Sequence, residues 1–275
     1  MMKTEVQLYS VRDEVAVDFA GTLKKVAAMG YEGVEFAGLF GHSAGEVKAW
    51  CEEAGLVPIS AHVPLPDLLD NTEETLDTYA AVGCKFVVIP HMSTDYLPGH
   101  KDFPVLEANM ERIGRGAKER GMTLLYHNHN FEFEKYNGEW AMDVMYNTFS
   151  ADYLETEIDT CWVNVAGVDP AGYVRKYAGR APVVHLKDFF QQGHITGKLF
   201  DLIGVEDEST EAQKPNDTFG FRPLGQGCQN VPELLAAAAD AGAGWVVVEQ
   251  DAPAEGDTPM ASIEASINYL KTLNY

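Results

Sequence analysis

The chain has 275 residues and is 46% hydrophobic, which is enough to bury the core of one large α/β domain or two small ones. Twenty basic residues against 42 acidic residues give a formal net charge of −22. Because such a field repels phosphate backbones and anionic lipid surfaces, the composition argues against nucleic acid and membranes as partners.

The cysteines and the N-terminus indicate the compartment. Four scattered cysteines have no CxxC spacing, so we predict neither a disulfide framework nor a structural zinc cluster. The N-terminal segment MMKTEVQLYSVRDE lacks the apolar region of a signal peptide, and no apolar run approaches membrane-spanning length. We therefore expect a cytoplasmic protein.

Short apolar segments alternate along the chain with segments of helical spacing. Eight segments are predicted to be strands: 5–11, 31–38, 56–63, 84–90, 122–129, 154–163, 181–189 and 244–251. Several predicted helices end at a glycine that directly precedes the next strand, as at Gly30 and Gly83. Eight strand–helix units predict a single-domain (β/α)8 TIM barrel over residues 1–275. A doubly wound open sheet is the alternative, but no GxGxxG turn follows the first strand.

One irregular region, residues 190–230, interrupts this alternation after the seventh predicted strand. It contains VEDESTEAQKPNDTFGF, which is polar and rich in turn-forming residues. Since loops of this length are functional or disordered, we predict either a lid over the catalytic face or an acidic insertion without a function.

Polar side chains recur where the last four predicted strands end, and this end of a TIM barrel carries the chemistry. Period-two alternation allows one residue from each strand to reach the same point. The set is His127, Asp159, His185 and Glu249. Two imidazoles and two carboxylates suit a divalent ion such as Mn²⁺, Zn²⁺, Co²⁺ or Fe²⁺. Singly, each residue could instead be a hydrogen-bonded core residue, a turn residue or an ion-pair partner, but the recurrence on four strands favours a metal site.

Five segments of the chain resemble the sugar phosphate isomerase/epimerase family of xylose isomerase-like TIM barrels. They are QLYSVRDE, YHNHNFEF, EIDTCWVNVAG, VVHLKDF and VVVEQD, and they follow the family's order over nearly the whole chain. The resemblance implies one divalent metal held by side chains of strands five to eight. It places the ligands at the same four residues, His127, Asp159, His185 and Glu249.

Two positions depart from the ketose epimerases of this family. Those enzymes carry a glutamate at the strand-five position, where this chain has His127, and that glutamate is one of their two acid–base carboxylates. We consider Glu132 as its replacement. The epimerases also carry a histidine three residues after the strand-six aspartate, where this chain has Trp162. A tryptophan there could stack on a sugar ring or simply pack in the core.

The resemblance implies an isomerase or epimerase that removes a proton next to a carbonyl, with the metal stabilising the enediolate. In this hypothesis Glu249 is the base, and Lys187 neutralises an oxyanion or protonates a leaving oxygen. Glu132 or His129 returns a proton on the other face. The predicted substrate contacts are Tyr9, His62, His129 and Trp162. We expect the substrate to be an unphosphorylated sugar or cyclitol.

Four other functions are considered for the same barrel. An inosose dehydratase or a 3-keto-glycoside lyase could use the same site. A phosphodiesterase that resembles endonuclease IV would need a basic DNA-binding face, which the net charge opposes. A non-catalytic sugar-binding or accessory subunit would be expected to lose a ligand, whereas this chain keeps all of them. By resemblance to relatives, a homo-oligomer is expected.

Overall fold

A computed structural model describes residues 2–192, 219–254 and 256–273 of the chain. Within these ranges, no helix combines the length and the apolar character needed to cross a bilayer.

The centre of the fold is a closed barrel of eight parallel strands. Among the described residues, these eight and four further strands outside the barrel are, in chain order, β1 (Lys3–Gln7), β2 (Gly33–Phe36), β3 (Val57–His62), β4 (Phe86–Ile89), β5 (Thr123–His127), β6 (Lys135–Tyr136), β7 (Glu139–Trp140), β8 (Glu155–Asp159), β9 (Val183–Leu186), β10 (Asp188–Gln191), β11 (Phe219–Arg222) and β12 (Trp245–Val248). Around the barrel the order is β1-β12-β9-β8-β5-β4-β3-β2, while β6 pairs with β7 and β10 pairs with β11 outside it. The predicted TIM barrel is confirmed.

Helices surround the barrel and connect its strands. They are α1 (Arg12–Val17), α2 (Phe19–Met29), α3 (Ala44–Ala54), α4 (Leu65–Asp70), α5 (Thr72–Val82), α6 (Phe103–Glu119), α7 (Ala141–Thr148), α8 (Thr160–Val165), α9 (Pro170–Lys176), α10 (Val231–Ala241) and α11 (Pro259–Lys271), with short 3₁₀ turns at Leu8–Val11, Thr94–Tyr96 and Phe131–Phe133. As predicted, α2 and α5 end at Gly30 and Gly83, whose φ values of 100° and 105° need a residue without a Cβ.

All eight predicted strands extend past the observed C-terminal ends, the first and the sixth by four residues each. The first stops at Gln7, and residues 8–11 form a 3₁₀ turn instead. The sixth stops at Asp159, because the Asp159 carboxylate accepts hydrogen bonds from the backbone N–H groups of Cys161 and Trp162 and so begins α8. Trp162 therefore lies on a helix and not on the barrel wall.

The barrel interior is apolar at one end and polar at the other. Val88, Leu125, Val183 and Val247 form a small cluster inside the barrel. Polar side chains occupy the other half of the interior, at the C-terminal ends of the strands, and the mouth of the barrel there. Most of them are fully buried. Since buried polar groups must find partners, this half of the barrel is where a ligand site is expected.

The region predicted as a long loop or lid, residues 190–230, is only partly described. Its residues 193–218 lie outside the described residues, so the lid remains a prediction. On either side of them, β10 and β11 pair as an antiparallel ladder. Asp188 fixes the chain that follows this ladder: its carboxylate accepts from the N–H groups of Phe189, Gly225, Gly227 and Gln229 at 2.9–3.0 Å.

Candidate active site

A cavity of about 420 Å³ opens at the C-terminal mouth of the barrel. This volume is in the range of small-molecule sites, about 300–1,000 Å³. Six residues predicted from the sequence line it: Tyr9, His62, His127, His129, Lys187 and Glu249. Asp251 and His91 also line it, although neither was predicted as a site residue.

Strand register brings the four predicted metal ligands together. His127 of β5 lies opposite Glu157 of β8, and Asp159 of β8 lies opposite His185 of β9. Glu249 directly follows β12, whose last residue, Val248, pairs with β9. Each of the four predicted ligands offers one ligand atom, and these atoms all lie within 4.8 Å of one another. The structure therefore contains a cluster that could bind a metal ion.

Two atoms of this cluster are buried acceptors that face one another. His127 Nδ1 lies 3.1 Å from the carbonyl oxygen of Pro90. Because a carbonyl only accepts, Nδ1 carries a proton, so Nε2 is the nitrogen left to present a lone pair to a cation. That Nε2 lies 3.4 Å from Asp159 Oδ2, and neither atom has a hydrogen-bond partner. A cation between them would satisfy both, so the donor set fits a divalent metal.

Lys187 supplies a positive charge beside the two ligand carboxylates. Its Nζ is 3.0 Å from Glu249 Oε2, 3.0 Å from Asp251 Oδ2 and 3.5 Å from Asp159 Oδ2. Burial alone would lower the pKa of Lys187, but these carboxylates raise it well above its ordinary value. In turn, Lys187 and the neighbouring imidazoles outweigh burial and hold the pKa of Glu249 well below its usual range. The cavity floor thus contains an ammonium next to an ionised carboxylate.

Beneath the cavity, four side chains form what we call the inner charged layer: Glu35, His62, Glu157 and His185. His62 Nε2 lies 3.1 Å from Glu35 Oε2 and 2.8 Å from Glu157 Oε1. His185 Nε2 lies 2.9 and 3.0 Å from the same two oxygens. Burial lowers the pKa of His62, but the Glu35 and Glu157 carboxylates raise it to about 10. His62 is therefore an imidazolium at the edge of the cavity.

Glu132, predicted to carry a proton to or from the substrate, does not line the cavity. Its Oε1 accepts from the Tyr126 hydroxyl at 2.6 Å, and its Oε2 accepts from the His129 backbone N–H at 2.8 Å. The 3₁₀ turn at residues 131–133 folds the fully buried carboxylate back toward β5. Both oxygens are engaged away from the cavity, so the structure does not bring Glu132 together with the other predicted site residues.

Trp162, predicted to stack on a sugar ring, is also placed behind the cavity wall. Its side chain is fully buried, and its ring centre lies 5.2 Å from Lys187 Nζ and 5.4 Å from the His129 ring centre. It packs with Phe219 and Phe221 of β11 in a small aromatic cluster. This placement favours core packing over sugar stacking, and Trp162 contacts Lys187 and His129 from the side.

The comparisons with known proteins agree with this architecture. The chain belongs to the xylose isomerase-like TIM barrel family, whose model matches residues 23–273. An inosose dehydratase of Clostridium beijerinckii is 22% identical over 258 residues, which cover 85% of this chain and 82% of that protein. An inosose dehydratase of Geobacillus kaustophilus is 23% identical over 252 residues, which cover 83% and 79%.

Solved structures show the same fold. A sugar phosphate isomerase/epimerase from Parabacteroides distasonis matches with a TM-score of 0.78 and 22% identity, covering 98% of both chains. An L-ribulose 3-epimerase matches with a TM-score of 0.69 and 15% identity, covering 99% of this chain and 94% of the other. The family relationship predicted from the sequence is confirmed.

Proposed function

We propose that the protein is a divalent-metal-dependent enzyme that removes a proton from the carbon next to a carbonyl of a sugar or cyclitol. The observation that carries this proposal is the pair of facing, unpartnered acceptors, His127 Nε2 and Asp159 Oδ2, in a buried cluster with His185 and Glu249. A cluster of this composition at the mouth of a TIM barrel is suited to holding a divalent ion and a bound oxygen ligand.

The charge balance of the site supports a bound cation. Five buried carboxylates lie in or directly beneath the cavity: Glu35, Glu157, Asp159, Glu249 and Asp251. Lys187 and the imidazoles of His62, His127 and His185 contact these carboxylates. Burial lowers the pKa of all three rings, but the carboxylates raise it above its ordinary value, so the site favours positive charge, and a divalent ion could take the place of protons on His127 and His185.

Bound at this cluster, a divalent ion would act as a Lewis acid toward oxygens of the substrate. Glu249 is the candidate base, since its carboxylate is ionised and lines the cavity. Lys187 holds an ammonium 3.0 Å from Glu249, so it can stabilise negative charge that develops on a substrate oxygen. These two side chains place a proton acceptor and a fixed positive charge on the same side of the cavity.

Elimination of water is the outcome that this arrangement favours. Glu249 takes the proton next to the carbonyl, the C–O bond at the adjacent carbon breaks, and Lys187 gives a proton to the departing hydroxide, which leaves as water. Both groups lie on one side of the cavity, within 3.0 Å of each other. The similarity to inosose dehydratases supports the same choice.

Isomerisation or epimerisation is the second candidate, and it needs another acid–base group to deliver a proton. Glu132 is unavailable for this role because both of its oxygens are engaged elsewhere. His129 and His91 line the cavity, but burial and the neighbouring imidazoles lower the pKa of both rings. A neutral imidazole can accept a proton but is a weak donor to a substrate carbanion, so this outcome ranks second.

A deuterium-exchange assay tests the proposal. Metal-free protein is loaded with Mn²⁺, Co²⁺ or Zn²⁺ and incubated in heavy water with inososes, ketoses and 3-keto-glycosides. We expect at least one substrate to exchange the proton next to its carbonyl, and loss of water to give an unsaturated ketone with new ultraviolet absorbance. Glu249→Gln should reduce exchange by more than about 100-fold, in the range of a lost acid–base group. Glu107→Gln, an exposed carboxylate on α6, is the matched control.

The result also separates the alternatives. Exchange without ultraviolet absorbance, together with a rearranged sugar, would favour the isomerase or epimerase. Exchange that is unaffected by Glu249→Gln would remove Glu249 as the base. Failure of every metal-loaded form to exchange or convert any substrate would favour a non-catalytic sugar-binding subunit.

A further inference from the structure

The two nitrogens of His185 have very different surroundings. Its Nε2 lies 2.9 Å from Glu35 Oε2 and 3.0 Å from Glu157 Oε1. Its Nδ1 lies 3.1 Å from Glu249 Oε2, on the side of the candidate metal ligands. The ring therefore connects the inner charged layer beneath it to the cluster at the cavity floor.

We propose that Glu35 and Glu157 are positioning residues that place the ring proton of His185 on Nε2, so that Nδ1 is the metal-ligating atom. This inference rests on the proposed metal site. Ionised carboxylates only accept hydrogen bonds, so the nitrogen that faces two of them carries the proton. The tautomer of a metal-binding histidine is commonly fixed in this way, by the partner of its other nitrogen.

His127 and His185 would then bind through different ring atoms. His127 faces the Pro90 carbonyl oxygen with Nδ1 at 3.1 Å and presents Nε2, whereas His185 faces Glu35 Oε2 with Nε2 at 2.9 Å and presents Nδ1. His185 Nδ1 and Glu249 Oε2 lie 3.1 Å apart and share a hydrogen bond, while His127 Nε2 and Asp159 Oδ2 lie 3.4 Å apart. A cation that displaced the ring protons would leave an acceptor at each of these four atoms and would contact all of them.

The two positioning carboxylates are themselves held in place. His62 contacts both of them from the other side, at 3.1 and 2.8 Å, and its ring is stacked on that of His185 at 5.5 Å. Gln7 of β1 donates to Glu35 Oε2 at 2.8 Å. Glu35 and Glu157 are fully buried, so water does not compete for the His185 proton.

A metal-binding titration tests the inference without measuring activity. Mn²⁺ is titrated into metal-free protein, and free Mn²⁺ is followed by electron paramagnetic resonance. The wild type should bind one equivalent. Glu157→Gln and Glu35→Gln should each weaken binding by about 10–100-fold, the usual effect of losing an outer hydrogen-bond partner of a ligand. Glu155→Gln, a half-buried carboxylate on the same strand as Glu157, is the matched control and should change affinity less than about twofold.

His62→Gln separates positioning from general damage to the layer. It removes the other cation that contacts both carboxylates but leaves both acceptors of the His185 proton. We expect a smaller loss of Mn²⁺ affinity than in Glu157→Gln. Equal losses in the two variants would indicate that the layer has only a structural role, and would overturn the inference.

A second measurement needs no variant that could fail to fold. Protein labelled with ¹⁵N-histidine and loaded with Zn²⁺ reports the protonated nitrogen of each ring in long-range ¹H–¹⁵N spectra. We expect one metal-bound histidine protonated at Nε2, from His185, and one protonated at Nδ1, from His127. Two histidines protonated at the same ring position would overturn the assignment.

The outcomes distinguish this inference from the proposed function. If the wild type binds no Mn²⁺, Co²⁺ or Zn²⁺, the metal site and the inference both fail. If it binds one ion while Glu157→Gln and Glu35→Gln bind equally tightly, only the positioning role fails. Two equivalents bound to the wild type would show that the inner charged layer is itself a second metal site, and would also overturn the positioning role.

Discussion

Replacing Lys187 by methionine tests the electrostatics of the site most sharply. The side chain is 1% exposed, and its Nζ contacts Asp251 and Glu249 at 3.0 Å and Asp159 at 3.5 Å. At an effective dielectric constant of about 20, each contact at this distance is worth about 5 kcal/mol before the cost of desolvation. Removing one partner of a buried ion pair costs about 3–5 kcal/mol in practice, because the remaining charge is left uncompensated. We expect metal-free Lys187→Met to lose that much stability.

The measurement is urea unfolding of metal-free protein at pH 8, with the free energy of unfolding obtained by linear extrapolation. Lys24→Met is the matched control, because Lys24 forms an exposed ion pair with Glu53 at 2.9 Å. Such surface pairs contribute about 0–1 kcal/mol. Added Mn²⁺ should stabilise Lys187→Met more than the wild type, since the ion replaces the missing positive charge. A loss below about 1 kcal/mol in Lys187→Met would refute the reasoning.

Two further predictions concern carboxylates outside the cavity. Burial raises the pKa of Glu132 from 4.5 to about 7, so between these values the folded state binds more protons than the unfolded state. The free energy of unfolding of the wild type should therefore fall relative to Glu132→Gln by about 3 kcal/mol as pH rises from about 4 to 8, measured by urea unfolding; a constant difference would contradict this. In Asp188→Asn, an amide N–H₂ would face two backbone N–H groups that now donate to the Asp188 carboxylate. Because donors would then face donors, we expect a loss of about 3 kcal/mol or more of stability. Asp169→Asn at the exposed start of α9 is its control, and an equally small loss in both variants would contradict the assigned role.

The fold could be predicted from the sequence because its signals are local and repeated. Apolar strands, helical spacing and terminal glycines such as Gly30 and Gly83 each act over a few residues. The errors at strand ends also have a local cause. In the sequence, Asp159 looks like the continuation of a strand. Its carboxylate instead accepts from the backbone N–H groups of Cys161 and Trp162, and the chain turns into α8.

The four candidate metal ligands could be predicted because a closed barrel brings the C-terminal ends of neighbouring strands close together. His127, Asp159, His185 and Glu249 follow from period-two alternation and from the position of each residue on its strand. Asp251 lies two residues after Glu249 and so has the same parity. Only the structure shows that it contacts Lys187 at 3.0 Å.

The inner charged layer and the role of Glu132 could not be predicted, since both depend on contacts between distant strands or on a turn. Glu35 is a charged residue inside an apolar strand, which is a signal, but its partners His62 and His185 come from β3 and β9. Glu132 is close to the site in sequence, yet the 3₁₀ turn at residues 131–133 directs its carboxylate to Tyr126.

The central claim is that one divalent ion is held by side chains from four neighbouring strands. The most direct test is metal analysis of purified protein, after loading with Mn²⁺ and removal of excess ion, for the wild type, Asp159→Ala and His185→Ala. We predict one equivalent in the wild type and essentially none in either variant. A metal-free wild type, or variants that retain the full wild-type content, would contradict the account.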